Sequence, residues 1–188
     1  MTNPARLQRR PFLTPLWLFA LTVMAGAAVL MLVAWSLVTA DSTTIIVVRH
    51  AEKVQGDGAD PPLSAAGQAR AELLARMFGD ARLPGHIDAI YVSPALRSRL
   101  TAAPLAGRLG LTPTIAAADD PRALARGVLQ EHPGGRVLVV GHLDTVPAVV
   151  AALSGAKNIP PIGAEEYGTM YIVTVPRIGQ ANVLHLNY

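Results

Sequence analysis

Arg49, His50, Arg97 and His142 have the residue types and the placement along this 188-residue chain to handle an anionic group. Arginine is the preferred partner of a phosphate, because its planar fork donates two parallel hydrogen bonds to neighbouring oxygens. Arg49 and Arg97 could hold one such group from two sides. A neutral imidazole is a competent nucleophile at neutral pH. A second, protonated imidazole could stabilise charge that spreads over the equatorial oxygens during transfer. Two arginines and two histidines would then supply the positive charge that a metal ion supplies elsewhere. The chain has no His-Glu-x-x-His motif and no cysteine, so neither a metal nor a cofactor is expected. The general acid stays open among Glu52, Asp119 and Asp120.

These residues need elements that bring them together. Ile45-Ile46-Val47-Val48 is a short β-branched run, which reads as a buried strand ending at Arg49-His50. Ile87 to Val92 predicts a second strand. Ser93-Pro94 then starts a helix, with Ser93 as cap and Pro94 at the first helical position. Arg136 to Val140 predicts a strand followed by Gly141-His142, and Asp144 caps a helix over Thr145 to Leu153. All three polar insertions thus fall just past the carboxyl ends of strands, where open α/β sheets bind ligands. Helix amino ends at Pro94 and Thr145 would add oriented N–H groups.

Between these segments, Val54 to Pro62 reads as a loop, rich in Gly, Asp and Pro. Ser64 caps an amphipathic helix to about Gly79, whose apolar side is read as Ala69, Leu73, Met77, Leu74 and Phe78. The helix after Ser93 carries Leu96, Leu100, Ala103 and Leu109, closed by Gly110. Thr112 to Ala116 is a short strand, and Asp120-Pro121 opens a helix to about His132. Met170 to Val175 and Asn182 to Leu186 read as two more strands. Strands alternating with helices predict an α/β fold, a three-layer α/β/α sandwich with a largely parallel central sheet, over residues 42–188.

A transmembrane helix is expected ahead of that domain. Residues 16–39 are almost unbroken apolar sequence, long enough to span a bilayer, with Trp17 and Trp35 near the ends. Arg6, Arg9 and Arg10 lie only on its amino side. The positive-inside rule therefore places the tail 1–15 in the cytoplasm and the domain outside, on an inner membrane facing the periplasm. Val38-Thr39-Ala40 also looks like a cleavage site, but signal-peptide cores are shorter. The expected partners are a small phosphorylated substrate and, through residues 16–39, the lipid bilayer. From Asp41 onward 13 basic residues face 13 acidic ones, so the high pI reflects the tail and no nucleic-acid partner is expected.

The motifs also resemble a known family. Val48-Arg49-His50-Ala51-Glu52-Lys53 is similar to the Arg-His signature of the histidine phosphatase superfamily, in its phosphoglycerate-mutase-like branch. Leu63-Ser64-Ala65-Ala66-Gly67-Gln68-Ala69 resembles that family's helix start. Ser93-Pro94-Ala95-Leu96-Arg97-Ser98-Arg99-Leu100-Thr101-Ala102 and Gly141-His142 resemble two later motifs, in the same order. The resemblance implies His50 as phospho-accepting nucleophile, Arg49, Arg97 and His142 around the phosphate, an α/β/α sandwich and no metal. Leu100 stands where the family commonly has Gln, and the acid-phosphatase branch's Gly-His-Asp is here Gly141-His142-Leu143-Asp144. The implied activity is a metal-independent phosphomonoester hydrolase. A phosphoglycerate-type mutase and a silent phosphate-binding module are the alternatives.

Overall fold

The chain divides into two units, Met1–Thr39 and Ala40–Tyr188. The structure, a computed structural model, describes residues 16–38, 42–56, 58–79, 86–117 and 119–188. The expected basic tail, and Thr39 and Ala40 of the cleavage-like site, lie outside the described residues.

In the first unit, α1 (Leu16–Val38) is a single 23-residue helix, about 35 Å long at 1.5 Å per residue. Its Trp17–Ser36 stretch has a mean hydropathy of 2.3. The helix is long and apolar enough to cross a bilayer. Its hydroxyls are satisfied within the helix: Thr22 donates to the Phe19 carbonyl at 2.8 Å and Ser36 to that of Val33 at 2.9 Å.

The second unit is built on β1 (Thr43–Arg49). Its side chains alternate between two cores, as strand geometry requires. Ile45 and Val47 point to one core, shared with α4 (Pro121–Glu131) and α5 (Thr145–Ser154) through Ala125, Val128, Val146 and Val150. Ile46 and Val48 point to the other, shared with α2 (Ala65–Phe78) and α3 (Leu96–Leu109) through Leu74, Ala75, Leu105 and Ala106. Burial on both faces is why this strand is continuously apolar rather than alternating. The result is the expected α/β/α sandwich.

The six-stranded sheet has the order β3-β2-β4-β1-β5-β6. β2 (Ala89–Val92), β3 (Thr114–Ile115) and β4 (Arg136–Gly141) are parallel with β1. β5 (Thr169–Val175) and β6 (Asn182–Asn187) add antiparallel pairs on the far side. Strands β2, β4 and β1 are thus consecutive neighbours, with Val92 beside Val140 and Arg49 beside Gly141. Their carboxyl ends lie at one edge.

Several boundaries differ from the sequence reading. β2 starts at Ala89, two residues later than expected. The buried side of α2 is Gly67, Ala71, Leu74 and Ala75, while Met77 is 46 % exposed. In α3 it is Ser98, Thr101, Ala102, Leu105 and Ala106. The two helices meet through small residues, and a reading weighted by apolar bulk misses a face made of alanine and glycine. Gly67 faces the segment after β1 instead. A Cβ there would lie 2.1 Å from the Glu52 carbonyl oxygen, inside any van der Waals limit.

Candidate active site

β1 delivers Arg49 and His50, only 6 % and 5 % exposed, to the carboxyl edge of the sheet. The His50 amide donates to the Gly141 carbonyl at 2.9 Å, so the β1–β4 ladder continues through the residue that carries the imidazole. The next amide, Ala51, donates to the Thr101 hydroxyl at 2.9 Å, and that hydroxyl donates to the Arg97 carbonyl at 2.7 Å. Thr101 therefore ties the end of β1 to the helix that carries Arg97. Leu100 packs in the small cluster of Ala51, Leu63 and Ala71.

The His50 ring has a defined tautomer. Its Nδ1 lies 2.8 Å from the Ala51 carbonyl oxygen. A carbonyl only accepts, so Nδ1 carries the proton and Nε2 keeps its lone pair. Burial, and then the nearby Arg97, His142 and Arg49 charges, push the His50 pKa down to about 4 against the Ala51 hydrogen bond. The imidazole is neutral at pH 7 with Nε2 free, the form a nucleophile requires.

His142 lies edge-on to His50, with ring centroids 5.3 Å apart. Its Nδ1 makes a long 3.5 Å contact with Arg97 Nη2. Guanidinium has no lone pair to offer, so Nδ1 is the acceptor and the proton of the neutral ring sits on Nε2. Burial and the Arg97 charge lower the pKa of His142 as well. At neutral pH the site thus combines two cationic arginines with two neutral imidazoles.

Arg49 is fixed on one side. Its Nη1 donates to the carbonyls of Gly163 at 2.9 Å and Ala164 at 2.8 Å, with Glu166 at 3.3 Å, and its guanidinium lies 4.0 Å from the Tyr167 ring centroid. Arg97 is held by Asp60, 3.6 Å from Nη1. In both arginines Nε is buried with no hydrogen-bond partner. A buried unpaired donor is costly, and both residues line the same open pocket of about 550 Å³, with His50, Lys53, Asp119, His142, Asp144 and Thr145. A tetrahedral anion there would meet the guanidinium groups of both.

The structure thus brings Arg49, His50, Arg97 and His142 together and separates the three candidate acids. Glu52 turns away: Arg70 Nε donates to both its carboxylate oxygens at 3.0 Å, and Nη2 sits 2.6 Å from Oε1. That pairing, first of all, holds the carboxyl below its usual range. Asp120 caps α4, accepting from the Ala123 amide at 2.8 Å. Asp119 lines the pocket.

The caps at the site also differ from expectation. α3 begins at Leu96, with Ala95 at its cap position and no cap from its own side chain. Ser93 instead donates to the Ser98 hydroxyl at 2.8 Å. The Leu96 amide donates to both carboxylate oxygens of Asp60, at 2.9 Å each. The α3 amino end is therefore already engaged by an anion from the 54–62 loop and is not a free phosphate cradle. Asp144 makes no cap hydrogen bond either; the His142 amide donates to Thr145 Oγ1 at 2.8 Å. Asp60, Thr101 and Tyr167 were not legible as site residues, because each acts across 36 to 118 positions of sequence on a partner that only folding brings near. Among the described residues no cluster of three or more His, Asp or Glu is placed to hold a metal ion.

Comparison with known proteins agrees with this geometry. The family model described as "Histidine phosphatase superfamily (branch 1)" matches residues 45–119, the stretch that carries Arg49, His50 and Arg97. No curated protein matches the chain. Among solved structures, the protein histidine phosphatase SixA complexed with tungstate superposes with a TM-score of 0.63 at 22 % identity, covering 77 % of this chain and 96 % of that one. Mycobacterial glucosyl-3-phosphoglycerate phosphatase gives 0.62 at 14 %, covering 78 % and 99 %. A SixA described as a phosphohistidine phosphatase, from Agrobacterium tumefaciens, gives 0.55 at 21 %, covering 77 % and 98 %. At these identities the superpositions speak for a shared fold.

Proposed function

From the match of residues 45–119 to the histidine phosphatase superfamily, we propose that this chain is a metal-independent phosphatase that forms a phosphohistidine on His50. The observation that carries the reading is the His50 ring itself. Its Nδ1 proton is spent on Ala51 and its pKa is held near 4, which leaves Nε2 an unprotonated nucleophile. It lines one pocket with Arg49, Arg97 and His142.

The reaction proceeds in two transfers. The phosphate sits between Arg49 and Arg97, and the Nε2 lone pair attacks phosphorus as the bond to the leaving oxygen breaks. His142 Nε2–H and the arginines stabilise the charge on the equatorial oxygens. The leaving oxygen takes its proton from a water in the open pocket, and Asp119, which lines that pocket, is the carboxylate placed to orient it. Water then attacks phospho-His50 and loses its proton to Asp119. The P–N bond breaks, and inorganic phosphate leaves with the neutral imidazole restored.

A second substrate reading, phosphohistidine on a protein, draws on the exposure of Asp119 and Asp144 at the pocket mouth. An imidazole leaving group needs less help from a fixed acid than an alkoxide does. Two of the superposed structures carry that activity in their names.

Helix α1 anchors this domain to the membrane, with the tail 1–15 in the cytoplasm and the domain outside it. Support comes from the apolar Trp17–Ser36 stretch and from arginines confined to its amino side. The test of function is release of inorganic phosphate by the purified full chain from a panel of phosphomonoesters and phosphohistidine peptides, with and without chelator. Turnover that survives chelation supports the reading. No release from any member, or loss with chelator and recovery with Mg²⁺ or Zn²⁺, rejects it.

A further inference from the structure

A second concave surface begins beside the catalytic pocket. It is a groove of about 830 Å³ between α4 and α5, bordered by Asp120, Arg122, Arg126 and Leu129 on one side and by Ala148, Ala152 and Lys157 on the other. Asp119 belongs to the pocket and its neighbour Asp120 to the groove, so the two surfaces adjoin. α4 and α5 both start at the catalytic edge of the sheet, following β3 and β4, and the groove runs from that edge along both helices for roughly two turns.

Cations outnumber carboxylates at this groove, three to one. Arg122 and Arg126 stand one turn apart on α4, and Lys157 lies beyond the end of α5. All three are exposed, and none makes a hydrogen bond or ion pair within the described residues. The carboxylate at the groove, Asp120, is engaged with the Ala123 amide. Leu129 and the alanines give an apolar floor between the cations. Cations flanking an apolar floor in a concave surface complement a single anionic segment with one apolar side.

Resting on the phosphatase reading above, we infer that this groove docks an acidic segment of a phosphoprotein, whose phosphorylated side chain enters the pocket at His50. Carboxylates of the segment pair with Arg122, Arg126 and Lys157, and its apolar side lies on Leu129 and the alanines. The substrate class is then an anionic polypeptide, selected by charge lying outside the catalytic machinery.

The test uses the full chain in nanodiscs of zwitterionic lipid, with a parallel set that also carries anionic lipid. Five substrates are compared: an aryl phosphomonoester, and two phosphopeptides that differ only in an acidic or a neutral flank, each made in phosphoserine and phosphohistidine forms. The acidic flank should raise kcat/KM about tenfold, the sum expected of three exposed ion pairs. That preference should fade at high salt. Arg122→Glu with Arg126→Glu should abolish it and leave the aryl substrate unchanged. Equal turnover of the two flanks by the wild-type chain overturns the inference. So does a flank-independent rate that responds to anionic lipid in the disc and loses that response in the double variant, which would give the groove to the membrane. If none of the substrates is hydrolysed, the phosphatase reading itself falls, and the two failures are distinct.

Discussion

The carboxylate of Asp60 receives the Leu96 amide on both oxygens, at 2.9 Å each, and stands 3.6 Å from Arg97 Nη1. A loop residue thus caps α3 from outside and orients the arginine one position further on. Asp60→Ala should cost about 1 kcal/mol of stability, the usual value of a lost cap. It should also lower kcat/KM roughly ten- to hundredfold, because Arg97 loses its fixed starting point. Asp60→Asn keeps an acceptor for Leu96 and should retain the stability. Thermal unfolding and steady-state kinetics read the two effects separately. An Asp60→Ala protein with unchanged unfolding temperature and unchanged kinetics would remove Asp60 from the site.

His50 should titrate at about 4 in the folded protein, with Nδ1 protonated above that pH. Nitrogen-resolved NMR of the imidazole checks both statements, and an inflection near the unperturbed 6.5 would contradict them. The sign for stability follows from linkage. The unfolded histidine binds its proton below about 6.5, while the folded one resists until about 4. Between these values the unfolded state holds more protons, so this group makes stability rise with pH there. The contribution is fully present above 6.5 and is lost as pH falls through that window. His50→Gln should flatten this part of the stability profile.

The two histidines should separate in a labelling experiment. His50→Ala should abolish both turnover and any covalent phosphoenzyme. His142→Ala should slow turnover by about 10²–10³, the scale for losing one preorganised transition-state donor, and still accept a phosphoryl group on His50. The intermediate should be acid-labile and base-stable, as a phosphoramidate is. Rapid quenching with a labelled substrate, followed by peptide mapping, decides the matter. Label on the Gly141-His142 peptide would mean the roles are reversed.

Gly67→Ala should destabilise the domain by about 1–3 kcal/mol or more, as overpacking does. The added Cβ meets the Glu52 backbone, which has no flexible end to swing aside. Chemical denaturation measures this. A neutral effect would mean that α2 and the Glu52 segment can move apart freely.

The anchor reading makes its own prediction. A reporter active only outside the cytoplasm, fused after Tyr188, should be active, given arginines only on the amino side of α1. Activity of a cytoplasm-only reporter at that position would reject the orientation.

By itself the sequence determined the elements with strong local signals. The β-branched run of β1 needs burial on both faces, and the alternation of strands with helices leads to a largely parallel sheet. Ser64, as expected, caps α2, accepting from the Gly67 amide at 3.2 Å. Arg49, His50, Arg97 and His142 were legible because each ends, or closely follows, a strand that must end at one edge. What only the tertiary structure decided were interactions between distant segments. Asp60, not Ser93, caps α3, because a cap can come from any carboxylate that folding brings to the amide. Glu52 pairs with Arg70, on α2, a partner that no local spacing announces. The burial that sets the His50 pKa, and the loop that grips Arg49, likewise arise only once β5 and the 163–167 segment close against β1. Local spacing carries periodicity and caps by neighbours; hydrogen bonds across dozens of residues and the desolvation of a ring belong to the packed state alone.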